Sequence, residues 1–121
     1  MITKRLALRD CRRLWKYLSQ TGERCKYDAI IHLYSKGLLS QKSYRNHCPL
    51  CEKYYNSEKW PLCSKCVWPT ANDDGHKTDD VQCRNVNSPY CKWQILSNQF
   101  TVSAKRKKAA LEVYNLVKTF K

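Results

Sequence analysis

Glycine is scarce in this chain, with only Gly22, Gly37 and Gly75 among 121 residues. That scarcity excludes the glycine-rich loops by which P-loop and dinucleotide-binding proteins cradle phosphates, and no hydrolase nucleophile elbow is present. Long apolar runs are also missing: none approaches the ~20 residues a membrane-spanning helix needs, and mean hydropathy is −0.72. The opening ten residues, MITKRLALRD, are charged throughout and hold no apolar signal segment. The expectation is therefore a soluble, intracellular protein whose eight cysteines are reduced thiols and not disulfides. Acidic residues are few, 10 against 23 Lys and Arg, for a net charge of +13.

That charge is unevenly placed. Residues 1–47 hold eleven Lys/Arg against Asp10, Glu23 and Asp28, a balance of +8. Residues 48–98 hold six against six and are neutral, and residues 99–121 hold six against Glu112, a balance of +5. A polyanion, if one is bound, should meet the two flanks and not the middle.

The neutral middle carries the cysteine pattern: Cys48-Pro49-Leu50-Cys51 and Cys63-Ser64-Lys65-Cys66, two CxxC pairs with eleven residues between them. Two thiolates three positions apart can reach one small tetrahedral ion from a tight turn, and a second such pair closes a four-sulfur shell. The spacing predicts one structural Zn²⁺ on Cys48, Cys51, Cys63 and Cys66, with a rubredoxin-like knuckle at Pro49 and a short hairpin of Tyr54, Tyr55 and Trp60 between the pairs. Cys83 is the main substitute for a ligand of the second pair, with Cys91, His47 and His76 as further competitors. Cys11 and Cys25 are placed on helical faces, where a cysteine serves as a small hydrophobe.

On the first flank, a helical projection puts Ala7, Cys11, Leu14, Trp15 and Leu18 on one face and Arg5, Arg9, Arg12, Arg13 and Lys16 on the opposite one. Gly22 can end this helix. A second helical pattern follows through Tyr27, Ile30, Ile31, Leu33 and Tyr34 to Gly37, a C-cap residue, completing a helical hairpin. The last flank reads as a helix from Ser103, with Ala109, Ala110, Val113, Leu116, Val117 and Phe120 as its apolar face. Lys105, Arg106, Lys107 and Lys108 crowd its opening turns, where cations oppose the macrodipole at a few tenths of a kcal/mol each. Either a partner meets that run, or water and salt screen it.

Residues 71–80 hold Asp73, Asp74, His76, Asp79 and Asp80, which invites comparison with zinc-stapled nucleases. Those enzymes carry a general-base His on a strand and a further His on a helix. His76 sits in a polar stretch without either, so a solvated acidic loop is the preferred reading and no catalytic residue is assigned.

The order of features extends the picture: a Leu-Trp-Lys-Tyr-Leu helix at 14–18, the CPLC turn, the CSKC turn followed by Trp68-Pro69, a lone Cys83, Ser88-Pro89-Tyr90 running to Trp93, and an Ala-rich terminal helix. In this the chain resembles a group of small phage-encoded, double-CxxC zinc-binding proteins of unassigned function. Members usually lack a cysteine at the place of Cys91. The resemblance implies a bacteriophage origin and action in the cytoplasm of the infected bacterial host; it supplies neither a reaction nor a partner.

Three functional classes follow. The first is a non-enzymatic nucleic-acid-binding accessory protein that grips phosphates through Arg5, Arg9, Arg12, Arg13, Lys16, Lys105, Arg106, Lys107 and Lys108. The second is a protein-binding effector whose basic surface docks on an acidic host protein, inhibiting or redirecting a nucleic-acid enzyme or defence factor, with Trp60 or Trp68 as anchors. The third is a zinc-stapled nuclease dependent on His76. None calls for a membrane or a small-molecule substrate. The architecture expected is a single α-rich zinc-binding domain: a basic helical hairpin at 1–47, a zinc module with loops and little strand at 48–98, and a basic helix at 99–121 packed back on the hairpin.

Overall fold

The computed structural model describes residues 2–44, 47–54, 89–98 and 103–120, which form five α-helices and, among the described residues, no strand. Helix α1 spans Lys4–Thr21. Thr3 caps its start, its hydroxyl accepting the Leu6 N–H at 3.2 Å, and Gly22 ends it in the left-handed region at φ 73°. Ala7, Leu8, Cys11, Leu14, Trp15 and Leu18 are buried along one face, as the apolar periodicity predicts.

Helix α2, Lys26–Ser35, is entered through a turn in which the Glu23 carboxylate accepts the N–H groups of Arg24 and Cys25. It stops at a Schellman motif: the Leu38 N–H donates to Leu33 O and the Gly37 N–H to Tyr34 O, with Gly37 at φ 74°. Its inward face is Ala29, Ile30 and Leu33. Tyr27, Ile31 and Tyr34, assigned from the sequence to the same apolar pattern, point outward and are exposed. Cys25 lies in the extended residue before α2, not on a helical face.

The middle of the chain is more helical than its composition predicts. Helix α3, Pro49–Tyr54, and helix α4, Pro89–Ser97, both open with proline, where a missing N–H costs nothing and the fixed φ already suits the helix. Pro49 thus starts a helix where a knuckle was expected, and Tyr54 belongs to that helix. The hairpin partners Tyr55 and Trp60 and the acidic stretch 71–80 lie outside the described residues.

Helix α5, Ser103–Val117, buries Ala109, Ala110, Val113 and Val117, and Phe120 is buried just beyond it. It packs on α1, α1 also meets α2 and α3, and α4 lies against α5. The core centres on Trp15, whose ring meets Trp93 edge-on at 5.0 Å and Tyr90 at 5.6 Å. Such pairs add about 0.5–1.5 kcal/mol beyond area burial. Leu50 from α3 and Trp93 from α4 complete this core.

Helices α1 and α5 run antiparallel, since Arg12 in the middle of α1 reaches Val117 and Phe120 while Gly22 at its end meets Ser103 and Arg106. Gly22 is required twice. Its φ is left-handed, and a Cβ there would stand 2.9 Å from the Ser103 Cβ.

Candidate functional site

The cations assigned to the binding surface divide into two groups. Four guanidinium groups are engaged inside the molecule. Arg9 donates from Nε and Nη2 to Asp10 Oδ1 at 3.1 and 3.0 Å. Arg12 donates to Val117 O at 3.4 Å and to Phe120 O, Arg13 to Leu38 O at 2.6 Å, and Arg106 to Gly22 O at 2.9 Å. Two of these four, Arg12 and Arg106, meet the C-terminal ends of α5 and α1, where carbonyls lack helical partners and the macrodipole is negative, and Arg13 holds the segment just past α2.

The second group faces water. Arg5 and Lys16 on α1, and Lys105, Lys107 and Lys108 on α5, are exposed and have no hydrogen-bond or ion-pair partner among the described residues. The charge run that opposes the dipole of α5 has a local explanation: antiparallel packing sets it beside the carbonyl end of α1. Arg106 bonds there, and the Lys107 Cγ would lie 3.3 Å from a Cβ placed on Gly22.

A polar cluster that the sequence reading missed lies beneath α1. Asp10 is fully buried, and besides Arg9 it accepts the Ser40 N–H at 3.1 Å, the Ser40 hydroxyl, and the Tyr44 hydroxyl at 2.8 Å. The Gln41 N–H in turn donates to the Tyr44 oxygen at 3.2 Å. The carboxylate therefore ties the segment after α2 to the centre of α1. Burial, and then the hydrogen bond to Asp10, push the Tyr44 hydroxyl pKa well above its ordinary value. Spacing was the available signal: Asp10 falls three residues after Ala7 and four before Leu14, on the apolar stripe.

Of the metal ligands assigned from the sequence, Cys48 is described fully. It is half-buried against the core at the head of α3, its carbonyl accepting the Glu52 N–H at 3.0 Å. The Cys48 carbonyl thus opens the first turn of α3, whose backbone runs on through position 51. Cys63, Cys66, Cys83 and His76 lie outside the described residues. Among the described residues no group of three or more His, Cys, Asp or Glu stands together. His47 is exposed at φ 51°, its ring tilted against Tyr27 at 5.8 Å. Cys11 is buried in the core and Cys91 half-buried on α4.

No helix of the described residues is long and apolar enough to cross a membrane. No family model matches this chain, and no curated protein or solved structure matches it either.

Proposed function

We propose that this chain is a nucleic-acid-binding accessory protein without catalytic activity, acting in the cytoplasm of a phage-infected bacterium. The observation that carries the reading is the set of exposed cations Arg5, Lys16, Lys105, Lys107 and Lys108, without partners among the described residues, on two antiparallel helices. The helices set the backbone positions of these cations, and each phosphate contact releases a condensed counterion. Arg12 and Arg106 act as positioning residues that tie α1 to α5 at its two ends, while Arg13 holds the segment after α2 and Arg9 pairs with the buried Asp10.

One structural Zn²⁺ on Cys48, Cys51, Cys63 and Cys66 belongs to the same proposal. Its support is the double CxxC spacing and the turn of helix joining the first pair. The metal would tie the neutral middle of the chain to α3 and so to the core.

Shift assays with DNA and RNA at two salt concentrations, run beside a pull-down from host lysate, test the function. Binding that weakens steeply with salt supports the reading. Binding to neither nucleic acid, with capture of an acidic host protein, is what a protein-directed effector requires and would overturn it.

A further inference from the structure

The outer face of α2 presents Tyr27, Ile31 and Tyr34 at i, i+4 and i+7, with the tyrosines 48% and 44% exposed. Rings on a helix surface normally turn inward, so a row left in water marks a contact site. The row continues into neighbouring rings. Tyr17 of α1 stacks on the exposed His32 at 5.2 Å with 22° between their planes, and His47 tilts against Tyr27.

The charge around these rings is predominantly positive. Lys16, adjacent to Tyr17, and Lys36, at the end of α2, are exposed without partners among the described residues, and the Arg13 guanidinium is anchored on Leu38 O at the α1–α2 seam. Against them stand Asp28, exposed in the first turn of α2, and Glu23, whose carboxylate is occupied by two backbone N–H groups. Asp10 is buried.

Aromatic rings interleaved with exposed cations match single-stranded nucleic acid. Phosphates engage the cations while unpaired bases stack on the rings, and a duplex keeps its base faces covered and offers the rings nothing. Tyr27 and Tyr34 are two turns apart, about 10 Å along the axis, roughly three steps of a stacked strand at about 3.4 Å each. We infer that the α1–α2 face, centred on Tyr27, Tyr34 and the Tyr17–His32 pair, binds single-stranded DNA or RNA by base stacking. The inference rests on the nucleic-acid reading above and names the form of nucleic acid it takes.

The test is fluorescence anisotropy with a labelled single strand of about 16 nucleotides, the upper end of a single-module site, and with the duplex of the same sequence. Three proteins are compared: wild type, Tyr27→Ala/Tyr34→Ala and Tyr27→Phe/Tyr34→Phe. Both positions are exposed, and circular dichroism verifies that each variant folds.

The expected result is a clear preference for the single strand. The alanine pair loses about 5- to 10-fold in affinity per tyrosine with duplex binding unchanged, and the phenylalanine pair, which keeps the π-faces, binds as wild type. Equal affinity for strand and duplex, or an alanine pair that binds as well as wild type, overturns the stacking inference and leaves the nucleic-acid reading standing. Absence of binding to both overturns the two together. If a host protein is then captured in a tyrosine-dependent manner, the face belongs to a protein partner instead.

Discussion

Replacing Asp10 with alanine should be among the most damaging single changes available outside the aromatic core. The carboxylate is fully buried and accepts five hydrogen bonds, two from Arg9, two from Ser40 and one from Tyr44. The Arg9 side chain is 40% exposed, so its share is screened and small. Ser40 is exposed and can turn to water. Tyr44 is only 5% exposed, and its stranded hydroxyl costs about 1–3 kcal/mol. Together with the loosened 38–44 segment, Asp10→Ala should lower unfolding free energy by about 3 kcal/mol, the low end for breaking a buried polar pair. Tyr44→Phe should cost about 1–2 kcal/mol, and the double variant should reveal a coupling of about 1 kcal/mol. Urea unfolding followed by far-UV circular dichroism at neutral pH measures all three. A loss below about 0.5 kcal/mol for Asp10→Ala, or no coupling, refutes the assignment.

The same cluster fixes a pH dependence. Because burial and Asp10 raise the Tyr44 pKa above the ordinary 10.0, the native state holds the proton where the unfolded chain has released it. Stability from this group is complete below about pH 10 and declines as pH rises further, by up to about 1.4 kcal/mol per unit. Tyr44→Phe should lack that component, read as the difference between the two alkaline unfolding profiles. The remaining predictions concern the glycines and the metal. Gly22→Ala meets both left-handed strain and the Ser103 Cβ, whereas Gly37→Ala meets strain alone in open space; thermal melts should show about 1 kcal/mol for Gly37→Ala and at least twice that for Gly22→Ala, and equal losses would contradict the close helix approach. Purified protein should contain one zinc per chain, lost in Cys48→Ser or Cys66→Ser and retained in Cys91→Ser, as read by elemental analysis; a metal-free wild type would refute the site.

How much of this was legible in the sequence depends on the distance over which each feature is decided. The buried faces of α1 and α5 follow from apolar periodicity, and both glycine stops follow from local chemistry. Leu14, Leu18, Ile30, Val117 and Phe120 accordingly sit in one core. The prolines opening α3 and α4 were equally local signals, hidden because Pro49 also suits a metal knuckle and Pro89 stands in a segment dominated by cysteines and aromatics. The roles of the arginines are decided at long range: Arg12 bonds residues more than a hundred positions away. A helical projection groups Arg5, Arg9, Arg12, Arg13 and Lys16 as one stripe but cannot register that the α5 end and the 38–44 segment flank it and take two of them, Arg12 and Arg13, while Arg9 turns to the buried Asp10 beside it. Tyr27, Ile31 and Tyr34 entered the apolar pattern of α2 because a helix with aromatic or aliphatic residues on both sides gives no single phase.

The division of labour between anchored and exposed cations is tested most directly by the salt dependence of nucleic-acid binding. Wild type is to be compared with Arg5→Gln/Lys16→Gln/Lys105→Gln/Lys107→Gln/Lys108→Gln, with melting temperature recorded for both. The slope of log K against log salt should shrink by about 0.7–0.9 for each phosphate contact removed, while the melting temperature stays within a few degrees because none of the five side chains is bonded within the described fold. An unchanged slope, or a loss of binding that merely follows a loss of folding, would contradict the account.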